Sequence, residues 1–240
     1  MPDLREGPVA PVPARAYSDP VNCCGPHKQT DPNGLNVMFS GRYLAQELAA
    51  FRRRGLDRRQ TFMLAALAGA ERVLDIGCGI GPLGLSALRR GARSALLVEA
   101  SAPSLKVAGE LARELGVEER AELLLADGAH LPDSASGDAV VLDRVVCCYP
   151  DASTLLERAA ALSAGTLVFS HPPSTWWMRS AARLGNLAMR LFGREYRLFV
   201  HDEDELLEHA RTAGHELVSR RSFGVWKVEV LARAPGGAAA

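Results

Sequence analysis

Apolar residues recur along this chain in two alternating rhythms. Short runs such as RVLDIG (72–77), SALLVEA (94–100), AELLLADG (121–128), DAVVLDRV (138–145) and TLVFSH (166–171) are apolar at nearly every position. That pattern predicts strands covered on both faces. Between them, apolar residues fall three and four apart, which predicts amphipathic helices. These helices are LAQELAAFRRRG (44–55), RRQTFMLAALAG (58–69), PLGLSALRRG (82–91), APSLKVAGELARELG (102–116), DASTLLERAAALSAG (151–165), a long one over 174–192, and DEDELLEHARTAG (202–214). Several close on Gly, and one opens on Pro, the usual helix punctuation. HELVSRRS and VWKVEVLAR end the chain as two strands around Gly224. Strands alternating with helices predict a three-layer, doubly wound α/β domain. Its seven-stranded sheet is mostly parallel with a C-terminal antiparallel hairpin, and its ligand sits at the carboxyl ends of the strands.

Residues 1–34 are rich in Pro, Gly, Asp and Asn and read as a flexible leader that gains order near Cys23 and Cys24. Residues 235–240, PGGAAA, read as a frayed tail, leaving 35–234 as one domain.

The glycines Gly77, Gly79 and Gly81 follow the first strand at every second position. A dinucleotide fingerprint, G-x-G-x-x-G, would need its third glycine where Pro82 stands. The strand ends in Asp75, an acid that suits a cationic ligand group better than a pyrophosphate. The next strand ends in Glu99, which can take both hydroxyls of a ribose. The third ends in Asp127-Gly128, where a carboxylate can accept from the exocyclic amine of adenine. Acid, glycine turn, acid and acid on successive strand ends suit adenosine joined to a cationic amino acid.

On VLDIGCGIG, LLVEA, ADG and LDRVVCCYP, the sequence resembles the class I S-adenosylmethionine-dependent methyltransferases over residues 58–232. The resemblance implies a Rossmann-like methyltransferase fold with S-adenosylmethionine as cofactor. It implies cofactor contacts from Asp75, Gly77, Gly79, Gly81, Glu99 and Asp127, with Cys78, Ala100, Gly128 and Asp143 beside them. It also implies a leader that folds over the active site. The segment from DRVVCCYPD through FSHPPSTWWMRSAARLGNLAMRLFGREYRLFVH is similar in general plan to the magnesium-protoporphyrin O-methyltransferases, which insert a helix after the fifth strand.

Nucleobase and glutamine N-methyltransferases carry N-P-P-Y after the fourth strand. Here that position reads DRVVCCYP, and HPPS (171–174) lies after the fifth strand instead. A nucleobase nitrogen is therefore disfavoured as acceptor, and the expected reaction is O-methylation of a carboxylate or hydroxyl on a small molecule. His171 is the first choice of general base, since it ends a strand and titrates near neutrality. Tyr149 and His201 come next, with Asp143 to orient them; an ionised carboxylate acceptor would need no base. In the inserted segment 174–200, Trp177, Ala181, Leu184, Ala188 and Leu191 share one helix face, and Arg179, Arg183, Asn186 and Arg190 another. That helix either packs on the sheet with a wet basic face, or serves as a lid over a hydrophobic acceptor with its arginines toward an anionic substrate or lipid.

Two vicinal pairs, Cys23-Cys24 and Cys147-Cys148, open an alternative: methylation of a thiol or of thiolate-bound arsenite. Adjacent cysteines chelate poorly compared with C-x-x-C, so no metal site is assigned. A non-catalytic cofactor-binding module and a nicotinamide dehydrogenase are the alternatives of other classes. The balance of 28 basic against 28 acidic residues argues against a nucleic-acid partner, a local basic face aside. The start lacks a secretory signal and no apolar run is long enough to span a membrane. A cytoplasmic enzyme with reduced thiols, monomeric or weakly dimeric, is expected.

Overall fold

The computed structural model describes residues 34–234. Three helices lead: α1 (Leu35–Met38), α2 (Gly41–Arg54) and α3 (Arg58–Ala66). The alternating body follows as β1 (Arg72–Ile76), α4 (Pro82–Arg89), β2 (Ser94–Glu99), α5 (Ala102–Glu114), β3 (Ala121–Leu125), β4 (Gly137–Leu142), α6 (Ala152–Leu162) and β5 (Ser163–His171). Helices α7 (Trp176–Leu191) and α8 (Glu203–Thr212) then precede β6 (His215–Phe223) and β7 (Trp226–Arg233).

The sheet has seven strands in the order β3-β2-β1-β4-β5-β7-β6. Strands β1 to β5 pair in parallel, and β7 runs antiparallel to both β5 and β6. The order reverses between β1 and β4, and a doubly wound sheet opens its ligand crevice at such a switch point.

Alternation along the strands splits the core in two. Val73, Leu97, Val141 and Val168 face the α3–α4–α5 side, whereas Leu74, Ile76, Val140, Leu142 and Phe169 face α6 and α8. Asp75 lies between Leu74 and Ile76, so its side chain shares the α4 face; Gly84 of α4 donates to it. A polar residue at that buried place is the first departure from pure core chemistry.

Two expectations need correcting. The run AELLL does not bury both faces: β3 is the sheet edge, and Leu123 and Leu125 stay exposed. The helix expected to run to 165 stops at Leu162 because β5 begins at Ser163, in register with Gly137 of β4.

Candidate active site

A cavity of about 410 Å³ opens at the carboxyl ends of β1, β2 and β4. One half is built by the loops after the first three strands. Gly77 adopts φ 65°, and a Cβ there would come within 2.5 Å of Val145 Cγ2. Gly79 adopts φ 58° with nothing near its missing side chain, so bare backbone faces the cavity. Gly81 caps α4 at φ 78° and packs on Leu97 and Leu85; it supports the turn without lining the cavity.

The acids sit around this turn. Glu99 is 8% exposed; its Oε2 accepts from Gly79 N and its Oε1 from Ser101 N, both at 2.8 Å. Burial outweighs these bonds and raises its carboxyl. Asp75 is 2% exposed, and its Oδ2 accepts from Gly84 N at 2.9 Å. Burial, with Glu99 nearby, pushes it up to about 7. A Cβ on Gly84 would crowd both Leu97 and Asp75 Oδ2, so this glycine makes room for that bond. Neither acid has a basic partner among the described residues. Two buried carboxylates on a cavity wall without a cation are groups that could hold a cationic ligand.

Asp127 takes three donors: Ala129 N at 3.0 Å, Tyr149 Oη at 2.9 Å and His130 Nδ1 at 3.0 Å. Burial, with Asp127 beside it, raises the Tyr149 phenol. Cys78, Ala100 and Gly128 also line the cavity. Gly128 is small by necessity, since a Cβ would meet Ile76 Cγ2 at 2.3 Å.

The other half lies over the end of β4. Asp143 faces the cavity, held by Arg59 Nη1, by Ser170 Oγ at 2.8 Å and by Gln60 Nε2 at 3.3 Å. Arg144 is the one non-glycine residue among those described with positive φ, at 62°. Its amide donates to Ser170 Oγ at 2.8 Å and its guanidinium meets Glu47 Oε1 at 2.7 Å, so the conformation is fixed from two sides. Tyr43, hydrogen-bonded to Glu47 at 2.9 Å, is pushed up to about 12 by burial. Leu35, Met38, Phe39, Leu198 and Trp226 supply apolar wall.

His171 does not join this set. It is 2% exposed, outside the cavity wall, with Nδ1 at 3.0 Å from Pro172 O and Nε2 at 3.3 Å from Glu229. Antiparallel pairing of β7 along β5 sets His171 opposite Lys227 and buries what the sequence offered as a strand mouth. His201 is likewise turned away, its Nε2 on the carbonyls of Val146 and Tyr149. Helix α7 is no lid over this cavity either; only Tyr196 and Leu198 after it reach the wall.

Cys147 and Cys148 both line the cavity, with sulfurs 3.8 Å apart. Hydrogen bonding with Cys147, then with Tyr196 at 3.1 Å and the charge of Arg144, outweighs burial and lowers the Cys148 thiol. Cys23 and Cys24 fall outside the described residues, as does the expected leader. No group of three or more His, Cys, Asp or Glu among the described residues is arranged to hold a metal ion.

Sequence reasoning passed over Tyr43, Glu47, Arg59, Gln60 and Arg144. A signal for two of them existed. Arg59 and Gln60 sit one turn before the fully buried Met63 and Leu64, so they share the core-facing side of α3. Asp57 and Gln60 also form a capping box, which fixes where that helix starts.

Comparison with known proteins finds a methyltransferase domain within this fold. Residues 73–164 match the family model described as a methyltransferase domain. A 118-residue stretch is 31% identical to ribosomal protein L11 methyltransferase of Actinobacillus succinogenes, covering 46% of this chain and 36% of that protein. The chain thus spans about a third of the length of the curated relatives it matches. Among solved structures, it is similar to magnesium protoporphyrin IX methyltransferase of Synechocystis PCC 6803 with bound SAH, at 19% identity and TM-score 0.63 over 80% of this chain and 96% of that one. It is also similar to an O-methyltransferase family protein of Burkholderia thailandensis, at 16% identity and TM-score 0.63 over 84% and 63%.

The residues present fit S-adenosylmethionine. The buried, cation-free Asp75 matches a ligand that brings positive charge, and the cradle at Gly77 and Gly79 leaves backbone open to it. A nicotinamide dinucleotide would bring its pyrophosphate to the glycine turn beside the buried carboxylate of Asp75.

Proposed function

We propose that this protein methylates a small, largely apolar molecule on an oxygen that arrives already ionised, a carboxylate. The observation that carries this reading is the state of the residues first considered as bases and of Asp143, expected to orient them. His171 is buried away from the cavity, His201 is turned onto the carbonyls of Val146 and Tyr149, Asp143 is held by three donors, and Tyr149 keeps its proton in a hydrogen bond donated to Asp127. A carboxylate oxygen needs no proton removed before it attacks.

The chain's own contribution is alignment and exclusion of water. Asp75, Gly77, Gly79 and Glu99 would hold the amino-acid and ribose parts of the cofactor; Asp127, kept in place by Tyr149, would hold its base. Bound there, S-adenosylmethionine supplies an electrophilic methyl group and leaves as a neutral thioether. Arg144 would orient an anionic acceptor against the apolar wall of Met38, Phe39 and Leu198. The Glu47 carboxylate beside it, at 2.7 Å, holds that guanidinium in place. Asp143, fixed by Arg59, Ser170 and Gln60, acts as a positioning residue. The resemblance to a magnesium protoporphyrin methyltransferase supports the fold; the choice of a carboxylate rests on the residues above.

Incubation with methyl-labelled cofactor and a panel of carboxylic acids, phenols, thiols and arsenite tests this. Label in a product that alkali releases as methanol supports a methyl ester. Transfer confined to thiols or arsenite moves the chemistry to the Cys147–Cys148 side, and transfer confined to a ribosomal protein overturns the small-molecule reading.

A further inference from the structure

We propose that helix α7 docks the protein on an anionic lipid surface. The helix is held by a narrow inner edge: Met178 and Ala182 are buried, and Asn186 clasps Leu198 through two hydrogen bonds of 2.8 Å. Its outer side is apolar and bare. Trp177, Leu184 and Leu191 repeat every seven residues along one stripe, with Leu187 beside them. Trp176 at one end is 80% exposed, Leu191 77%, and Phe192 at the other end 81%. Scattered apolar residues on a surface are ordinary; a contiguous stripe with tryptophan at one end is not.

Charge selects the partner. Arg179, Arg183 and Arg190 run along one flank, and Arg194 follows the helix. No Asp or Glu occurs from 172 to 194. Arg179 bonds Asp202 at 3.1 Å, whereas Arg183, Arg190 and Arg194 make no ion pair with a described residue. A basic flank beside a Trp, Leu and Phe face is the composition of a helix that lies in the headgroup layer. At 16 residues α7 is too short to cross a bilayer, and no described helix is long and apolar enough to do so. A second copy is a poorer occupant, because pairing two such helices brings acid-free arginine flanks together. The whole chain has a formal net charge of zero, so attraction would come from a local face and not from overall charge. The segment leaving α7 becomes cavity wall at Tyr196, four residues past Phe192. Docking there would set the acceptor half of the cavity close to lipid.

Flotation of the full chain with vesicles tests the proposal without any need for turnover. Neutral phosphatidylcholine vesicles are compared with ones carrying roughly 30% phosphatidylserine, enough to give a strongly negative surface. The expected result is binding to the anionic vesicles that weakens as salt rises. Arg183→Ala and Arg190→Ala should each weaken it about fivefold. The double variant Leu184→Glu/Leu191→Glu should abolish it while leaving thermal stability unchanged, since both side chains are exposed. Failure of the wild-type chain to float overturns the proposal. So does binding that survives the double variant, or self-association lost in that variant while vesicles stay bare, which would assign the face to a second copy.

Discussion

Tyr149 donates its hydroxyl to Oδ2 of Asp127 at 2.9 Å, tying the loop after β4 to the loop after β3. This phenol was first considered as a base. Burial and the carboxylate beside it raise its titration, so it keeps its proton and serves as a brace. Tyr149→Phe should weaken cofactor binding about tenfold, the loss of one charge-assisted hydrogen bond of ~1.5 kcal/mol. Calorimetry with S-adenosylhomocysteine measures this. An unchanged affinity, with product formation lost, would return Tyr149 to a catalytic role.

Asp75 gives the site a pH dependence whose sign can be worked out. Burial pushes its carboxyl up from 3.8 to about 7. Below that pH the side chain is neutral, and a cationic ligand must displace its proton. Affinity for S-adenosylhomocysteine, whose amino group is charged, should therefore fall about tenfold per unit as pH drops below 7 and be flat above it. Folding shows the opposite trend. The unfolded chain loses this proton near 3.8 and the folded one near 7. The ligand-free protein therefore loses stability between those values by up to ~1.4 kcal/mol per pH unit. Asp75→Asn should remove both slopes and weaken binding about a hundredfold, in line with the cost of leaving a buried charge pair half made. Parallel slopes in wild type and variant would show that another group titrates.

Gly77 meets two separate demands. Its φ of 65° costs a side chain about 1–2 kcal/mol, and the clash with Val145 adds about 1–3 kcal/mol. Chemical denaturation of Gly77→Ala should show both losses. Adding Val145→Ala should relieve the clash alone. Full recovery in the double variant would mean that the backbone conformation was never strained.

His171 is buried against Glu229, which also accepts from Arg220 Nε at 2.8 and 2.9 Å. His171→Gln should lower stability by about 1–3 kcal/mol, the cost of a disturbed buried polar contact. At a temperature where the variant is folded, its rate and the pH profile of that rate should match wild type. A rate loss of a hundredfold with an altered profile would reinstate this residue as the base.

Much of this was legible beforehand because strand ends and glycine turns are local chemistry. Asp75, Gly77, Gly79, Glu99 and Asp127 each follow a run of apolar residues, so sequence alone brings them to one sheet edge. Distant pairing was not legible. His171 looks exposed at a strand end until β7, whose first residue is Trp226, comes back beside β5. Asp143 looks free until α3 delivers Arg59 and Gln60 from more than 80 residues upstream. The apolar stripe of α7 was visible in its periodicity, but periodicity does not say which side meets the protein. Met178 and Ala182 are buried on the side where Asn186 clasps Leu198, and the stripe is left bare.

Titration calorimetry of the wild-type chain and of a Glu99→Gln/Asp75→Asn double variant with S-adenosylhomocysteine and with NAD is the most direct measurement. One-site binding of the first ligand by wild type, none of the second, and loss of binding by at least a hundredfold in the variant are the results expected. Undiminished binding in the variant, or NAD bound in preference, would contradict the assignment of these two buried carboxylates as the cofactor receptor.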